Sequence, residues 1–214
     1  MYKILTSVSL LAFGIGSGAN AAESDWSGFY GGVSAGGATT TVSDNYDFDT
    51  VFTFDAVGSV WGVLAGYNIQ NGNMVYGLEG EYTSGSIEGS GLCDGGTTPL
   101  CSGSGADAAF TLSNTISLKA RAGYVSGNYL IYAMAGISQA DASVTDTLQP
   151  GTDAQKHSGY VAGVGVEFMA TDTFSIGIEY EYGSYEELSY ALVTTPDGIG
   201  FDTNTFKVSA KYHF

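Results

Sequence analysis

Basic residues are scarce in this sequence. Six Lys and Arg stand against 22 Asp and Glu, which gives a formal net charge of −16 and an isoelectric point near 4.1. Proteins that bind nucleic acid present a basic face to the phosphates. The charge balance therefore argues against nucleic acid as a partner.

Long hydrophobic runs are absent, although charged residues make up only 13% of the 214 residues. Mean hydropathy is +0.09, and no apolar run approaches the roughly 18 residues of a membrane-spanning helix. The 32 Gly, 15 Tyr and 11 Phe are unusual for a soluble enzyme. A membrane protein of this composition has to be a closed β-barrel, because only helices and barrels satisfy every backbone group in lipid.

Proline is also rare, with three residues, and no Pro-rich or Ser-rich linker divides the chain into domains. Residues 1–21 have the features of a secretory signal peptide: Lys3, an apolar middle over 4–15, and the small residues Ala19 and Ala21 around Asn20. We expect cleavage after Ala21, which leaves one domain over 22–214. The alternatives, a first strand or a membrane anchor, are disfavoured because the apolar segment is too short to span.

Two cysteines are present, Cys93 and Cys101, in the Gly-, Ser- and Thr-rich segment 89–105. An exported chain meets an oxidising compartment, so we predict a disulfide that closes this loop. Two thiols without a neighbouring histidine do not make a zinc-ligand set. No metal or cofactor is predicted.

Strict alternation of apolar and polar residues is the main pattern of the chain. In 205–214 the odd-numbered side comprises polar residues such as Lys207 and Lys211, and the even-numbered side ends on Tyr212 and Phe214. This period of two is typical of a β-strand. Similar stretches reach about residue 37 and cover 56–69, 74–84, 110–125, 129–139, 158–169 and 174–182. Because the inner faces are polar and no helix covers the apolar faces, the pattern predicts that lipid does.

The connections alternate between long and short. Polar loops are predicted over 39–55, in the segment with both cysteines, over 140–157 and over 183–202, with tight turns between them. This order predicts an all-β, eight-stranded, antiparallel up-and-down transmembrane barrel with short periplasmic turns and long extracellular loops. The facing of the fifth strand stays open because it has apolar residues in both phases.

Charged residues avoid every outward face that could be assigned, and most remaining basic residues point inward beside carboxylates. The segments 76–82 and 176–182 repeat the same Glu-x-Glu pattern. The sequence predicts one interior ion-pair layer, formed by Glu79, Glu81, Lys119, Arg121, Glu167, Glu179, Glu181, Lys207 and Lys211. An eight-stranded barrel is about filled by its side chains, so this layer is expected to close it. A narrow, gated polar path is the alternative.

Catalysis is not predicted. His157 lies where the third loop meets the sixth strand, while His213 lies at the opposite end of the barrel, so the two cannot share a site.

The loops carry the excess acidic charge, which favours a soluble cell surface that does not stick to other molecules. An alternative is that these loops bind divalent cations and bridge to lipopolysaccharide phosphates.

Several strand segments together resemble a known family. They are 26–32, 65–68, 76–79, 118–124 (Leu-Lys-Ala-Arg-Ala-Gly-Tyr), 162–168 (Ala-Gly-Val-Gly-Val-Glu-Phe) and 212–214 (Tyr-His-Phe). The chain resembles the alphaproteobacterial small outer-membrane proteins, porin-like or opacity-type surface antigens of Brucella and Rhizobium type. The resemblance implies a Gram-negative outer-membrane location, contact with outer-membrane lipid and lipopolysaccharide, and a non-enzymatic role in envelope integrity. The segment with Cys93 and Cys101 departs from that family.

The chain end carries a second resemblance. Tyr212 and Phe214 resemble the C-terminal signature by which the barrel-assembly machinery recognises outer-membrane barrels. A small diffusion channel and a loop-mediated adhesin or receptor remain as alternative functions. No oligomeric state is predicted.

Overall fold

A computed structural model describes residues 24–47, 50–92, 107–146, 152–190 and 199–214. Eight antiparallel strands close into a barrel in which each strand pairs with its neighbours in sequence and β1 pairs with β8. This architecture confirms the predicted fold class. The strands are β1 (Gly28–Asp47), β2 (Thr50–Asn71), β3 (Met74–Leu92), β4 (Asp107–Ser126), β5 (Tyr129–Asp146), β6 (Thr152–Thr171), β7 (Phe174–Leu188) and β8 (Ile199–His213).

The pairing register is staggered around the barrel. A path that starts at Gly31 and crosses each strand pair in turn returns to β1 at Thr41, ten residues further along the strand. Such a stagger means that the strands tilt against the barrel axis, and eight tilted strands leave an interior that side chains can fill. Side chains from all eight strands therefore meet near the axis.

Side chains alternate between the two faces along each strand. Outward positions are apolar and exposed, as at Ile178, which is 59% exposed. On β5 the outward side chains include Ile131 and Ile137, while Leu130 and Tyr132 point inward. The structure thus assigns the one strand whose facing the sequence left open. These outward residues form a continuous apolar band, which suits contact with hydrocarbon.

The strands extend well beyond the predicted bounds at the long-loop end. The predicted loops 39–55, 140–157 and 183–202 were too long. β1 continues to Asp47 and β2 begins at Thr50, β6 begins at Thr152, and β7 continues to Leu188 while β8 begins at Ile199. A strand needs only about 9–11 residues to cross a bilayer, yet β2 has 22. The barrel therefore projects beyond the apolar band as a paired, polar-faced extension.

The short turns agree with the sequence. Gly72 and Gly127 sit in turns with φ of 59° and 60°, a backbone conformation that glycine adopts without steric cost.

Across the described ranges, no helix is both long and apolar enough to span a membrane.

Candidate functional site: the interior ion-pair layer

The charged layer is built from two similar strand pairs. Glu79 on β3 lies directly opposite Lys119 on β4, and Glu179 on β7 lies directly opposite Lys207 on β8. In a ring of eight strands, β3–β4 and β7–β8 occupy opposite walls. The Glu-x-Glu repeat of the sequence therefore places equivalent carboxylates on facing sides of the interior.

The upper cluster, nearer the long loops, joins the two walls through Lys119 and Lys207. Lys119 Nζ lies 2.7 Å from Glu81, 3.0 Å from Glu181, 3.3 Å from Glu79 and 3.4 Å from Glu179. Lys207 Nζ lies 2.7 Å from Glu81, 3.1 Å from Glu179 and 3.4 Å from Glu181. Each ammonium group thus binds carboxylates from both walls, so the two lysines brace the barrel across its width.

The lower cluster, nearer the short turns, is formed by Arg121 and Lys211 with Glu79 and Glu167. Arg121 lies 3.0 Å from Glu167 and 3.4 Å from Glu79. Lys211 Nζ lies 3.1 Å from each of the same two carboxylates. Because Glu79 also contacts Lys119, the two clusters form one connected network. The structure brings all nine sequence-predicted residues together.

Neutral side chains complete this network, and the sequence did not single them out. The Tyr30 hydroxyl donates to Glu79 at 3.0 Å and accepts from Arg121 at 3.1 Å. The Tyr132 hydroxyl donates to Glu179 at 2.9 Å, and the Arg121 guanidinium lies 4.1 Å from the Tyr132 ring centre. Alternation alone could have placed Tyr30 inside, but the ambiguous facing of β5 concealed Tyr132.

Two hydroxyls and His213 fill remaining positions around the carboxylates. Ser34 donates to Glu81 at 2.9 Å, and Ser175 donates to Glu167 at 2.6 Å. His213 Nε2 lies 2.9 Å from the Ser175 hydroxyl and 3.6 Å from Glu167. Buried charges are tolerated when such hydrogen bonds satisfy the lone pairs that the ion pairs leave.

Apolar layers lie on both sides of the charged layer, where the sequence analysis had expected polar inner faces. The layer at the turn end comprises Trp26, Val75, Val125, Leu130, Tyr132, Met134 and Met169. The layer at the loop end comprises Ala38, Val42, Ala56, Val60, Ile87, Phe110, Leu112, Ala140, Ala142, Val144, Tyr185, Tyr190, Ile199 and Phe201. The charged layer thus lies between two layers of mostly apolar side chains, and tight apolar packing disfavours the water that ion transport needs.

Carboxylate oxygens of Glu81, Glu179 and Glu181 lie within 4.8 Å of one another, a spacing that a metal ion could bridge. The ammonium groups of Lys119 and Lys207 already contact all three carboxylates. These ammonium groups take the place that a divalent ion would need, so the arrangement does not fit a divalent metal centre.

His157 lies near the loop end and is fully buried. Its Nδ1 lies 2.8 Å from the backbone carbonyl of Glu186, and its Nε2 lies 2.7 Å from the Tyr190 hydroxyl. The carbonyl can only accept, so Nδ1 carries the proton and Nε2 accepts from Tyr190. Burial lowers the pKa of His157, against a smaller opposing effect of the Glu186 carbonyl. Both ring nitrogens are occupied, which argues against a role in general base catalysis.

The acidic residues of the predicted loops are distributed differently from the expectation. Asp55, Glu88 and Asp141 lie on strand extensions rather than in loops. Lys156 forms an exposed ion pair with Asp141 across the β5–β6 pairing. The polar outer face of the extension is therefore acidic but locally ordered.

The remaining predicted residues fall into two groups. Tyr212 and Phe214 lie on the outer surface at the end of β8, with ring centres 4.9 Å apart, and the Phe214 amide donates to the Phe29 carbonyl on β1 at 2.9 Å. The chain end is thus held to the first strand. Cys93, Cys101, Ala19 and Ala21 lie outside the described residues.

Known proteins resemble this chain in sequence and in fold. Residues 8–214 match the family described as outer membrane protein beta-barrel domain. The crystal structure of Neisserial surface protein A superposes with a TM-score of 0.49 at 15% identity, covering 88% of this chain and 98% of that one.

Two relatives are similar in sequence. The 22 kDa outer membrane protein of Rhizobium leguminosarum bv. viciae is 29% identical over 189 residues, which cover 88% of this chain and 78% of that protein. The 25 kDa outer-membrane immunogenic protein of Brucella melitensis biotype 1 is 28% identical over 200 residues, which cover 91% and 82%. The predicted family resemblance and the outer-membrane location are confirmed. The chain belongs to the outer membrane protein beta-barrel domain family.

Proposed function

We propose that this outer-membrane barrel is a non-enzymatic structural protein of the envelope, whose interior is shut and whose loop end is presented at the cell surface. The observation that carries the proposal is the filled interior. Lys119 is fully buried among four carboxylates, and apolar layers enclose its network on both sides. A barrel filled in this way offers no aqueous path, so we assign its function to the lipid-facing wall and to the extension at the cell surface.

The outer wall suits a role in the membrane itself. Exposed apolar side chains cover all eight strands, and a closed ring has no strand edge that could pair with other chains. The Asp55 and Glu88 side chains point outward above the apolar band. We therefore propose lipid and lipopolysaccharide as the partners of the wall. At this height, divalent cations would bridge these carboxylates to lipopolysaccharide phosphates.

Insertion is proposed to use the last strand. Phe214 is exposed at the end of β8, beside Tyr212, where the barrel-assembly machinery could reach it. The hydrogen bond from the Phe214 amide to the Phe29 carbonyl joins the chain end to β1, which suits closure of the ring as the final folding step.

A deletion strain tests the structural role. Loss of the protein is expected to raise sensitivity to anionic detergent and leakage of periplasmic protein. The chain with Lys156→Gln should restore the barrier as well as the unchanged chain does, because Lys156 is an exposed side chain at the loop end of β6 and takes no part in the interior network. The chain with Ile178→Arg should fail to restore it, because insertion is impaired. If deletion instead slowed uptake of small hydrophilic solutes and left the barrier intact, the protein would be a diffusion channel.

A further inference from the structure

With histidine counted as neutral, the buried ion-pair layer is not balanced in formal charge, although His213 lies 3.6 Å from Glu167. Its lower cluster has two carboxylates, Glu79 and Glu167, and two cations, Arg121 and Lys211. Its upper cluster has three carboxylates, Glu81, Glu179 and Glu181, and two ammonium groups, Lys119 and Lys207. The upper cluster therefore carries one excess negative charge. An uncompensated charge away from water is costly, so a counter-charge is expected beside it.

The excess can be located at Glu181. The second oxygens of the other two carboxylates have neutral donors, since Glu81 Oε1 accepts from Ser34 and Glu179 Oε2 accepts from Tyr132. Both lysine contacts of Glu181 go to Oε2, at 3.0 and 3.4 Å. Within the described part of the chain, Glu181 Oε1 has neither an ion pair nor a hydrogen bond. One carboxylate oxygen is thus left over.

Glu181 lines a cavity of about 30 Å³ between the upper cluster and the apolar layer at the loop end. Four threonines also line it: Thr83, Thr115, Thr203 and Thr205. Thr203 and Thr205 are only 7% and 9% exposed, and their hydroxyls have no partner among the described residues. Hydroxyls that line a small cavity in this way can bind a water molecule or an ion inside it.

The roof of the cavity is apolar. Val60, Ile87 and Leu112 line it on the side of the long loops. The Glu181 side chain is 13% exposed toward this partly enclosed space, so solvent ions screen its charge less than they would at the surface. The volume exceeds the roughly 10–15 Å³ that one water needs, so a small ion with one water molecule would fit.

We propose that this cavity binds one monovalent alkali cation, held by Glu181 Oε1 and the hydroxyls of Thr203 and Thr205. The ligands are all oxygen, which suits hard cations such as alkali ions. One positive charge cancels the single excess negative charge of the upper cluster, whereas a divalent ion would overshoot it beside two ammonium groups. The ion is taken up during folding and locks the two walls together above the lysines.

Rubidium is the probe. The full-length mature chain is refolded in detergent with rubidium chloride or with N-methylglucamine chloride at equal ionic strength, because the organic cation is too large for the cavity. Anomalous diffraction from the rubidium crystals should show one peak beside Glu181. The urea midpoint of unfolding should also be higher in rubidium than in N-methylglucamine.

Two variants and a control make the test specific. Glu181→Gln removes the excess charge and should abolish both the anomalous peak and the difference in urea midpoint. Thr205→Val keeps the charge and the shape but removes one hydroxyl, so it should weaken rubidium binding about tenfold. Asp172→Asn, a change at an exposed carboxylate in the short turn between β6 and β7, should leave both readouts unchanged.

The proposal is overturned if the cavity holds only water in the rubidium crystals. Equal unfolding midpoints of the unchanged chain in the two salts would overturn it as well, because rubidium would then add no stability to the folded state. If Glu181→Gln fails to fold, Thr205→Val alone decides, and unchanged rubidium binding in that variant rejects the site.

Discussion

Lys119→Met is the substitution that tests the buried network most severely. Methionine keeps much of the length and apolar volume of lysine but removes the ammonium group. Lys119 is fully buried and contacts four carboxylates at 2.7–3.4 Å. The change leaves three upper carboxylates with one cation, Lys207. Removal of one partner from a buried ion pair costs about 3–5 kcal/mol, because the remaining charge stays buried and unpaired.

The assay is equilibrium unfolding in urea in lipid vesicles, followed by fluorescence of Trp26 and Trp61. Lys156→Met is the matched control, because Lys156 is 65% exposed and pairs with Asp141 at the surface. An exposed pair of this kind contributes at most about 1 kcal/mol. We expect Lys119→Met to lower the free energy of unfolding several times more than the control does.

A double variant separates charge from packing. Lys119→Met with Glu81→Gln removes one charge of each sign, so the upper cluster returns to one excess carboxylate. We expect this pair of changes to recover part of the lost stability, as coupled neighbours do. Equal losses for Lys119→Met and Lys156→Met would refute the reasoning, because the interior would then have to be hydrated.

Three further predictions follow from the wall, the strand contacts and His157. Ile178→Arg should lower the folded fraction in vesicles, since Arg on the lipid face costs about 2–4 kcal/mol at the bilayer midplane, while Asp172→Arg in a short turn should not. Gly36→Val should impair folding, because a Cβ at residue 36 would collide with the Phe206 carbonyl. Gly37→Val should fold normally, because a Cβ at residue 37 would face outward with its nearest neighbour at 3.7 Å. The change in electrophoretic mobility on heating measures the folded fraction of both variants. The neutral form of His157 is favoured in the folded state, so its contribution to stability is complete above pH 6.5 and is lost as the pH falls through the lowered pKa. The free energy of unfolding should fall between pH 7.5 and 5 by more in the unchanged chain than in His157→Gln, and parallel pH profiles would contradict that assignment.

Much of the architecture could be predicted because a lipid-facing strand obeys two simple rules. Its side chains alternate, and its outward side carries no charge. These rules placed Glu79, Lys119 and Lys207 inside and predicted that they share one layer. The register that makes Glu79 face Lys119 could not be read from the sequence, because the long segment with both cysteines joins β3 to β4 and only a tight hairpin fixes the pairing of its strands.

The strand bounds and inward faces that could not be predicted depend on the position of each residue along the barrel axis. Alternation shows which face a residue takes but not whether lipid or water surrounds that level. The polar residues of 39–55 therefore indicated a loop, although Val42 and Ala56 point inward and pack in the layer at the loop end. The fifth strand was ambiguous for a related reason, because inward Leu130, Tyr132 and Met134 belong to the apolar layer at the turn end.

The glycines near the first strand illustrate the same limit. Gly31, Gly32, Gly36 and Gly37 are all compatible with tight interior packing in the sequence. Only Gly32 and Gly36 leave no room for a Cβ against the backbone of β8. Gly31 and Gly37 have ordinary contact distances of 3.7 Å on the outer face.

Single-channel recording of the refolded protein in a planar bilayer tests the closed interior most directly. A barrel filled by the ion-pair layer and two apolar layers should give no stepwise current across the voltages that keep the bilayer intact, with a refolded porin as the positive control. Regular ohmic steps from the unchanged chain would contradict the account, because ions could then pass the level of Lys119 and Lys207.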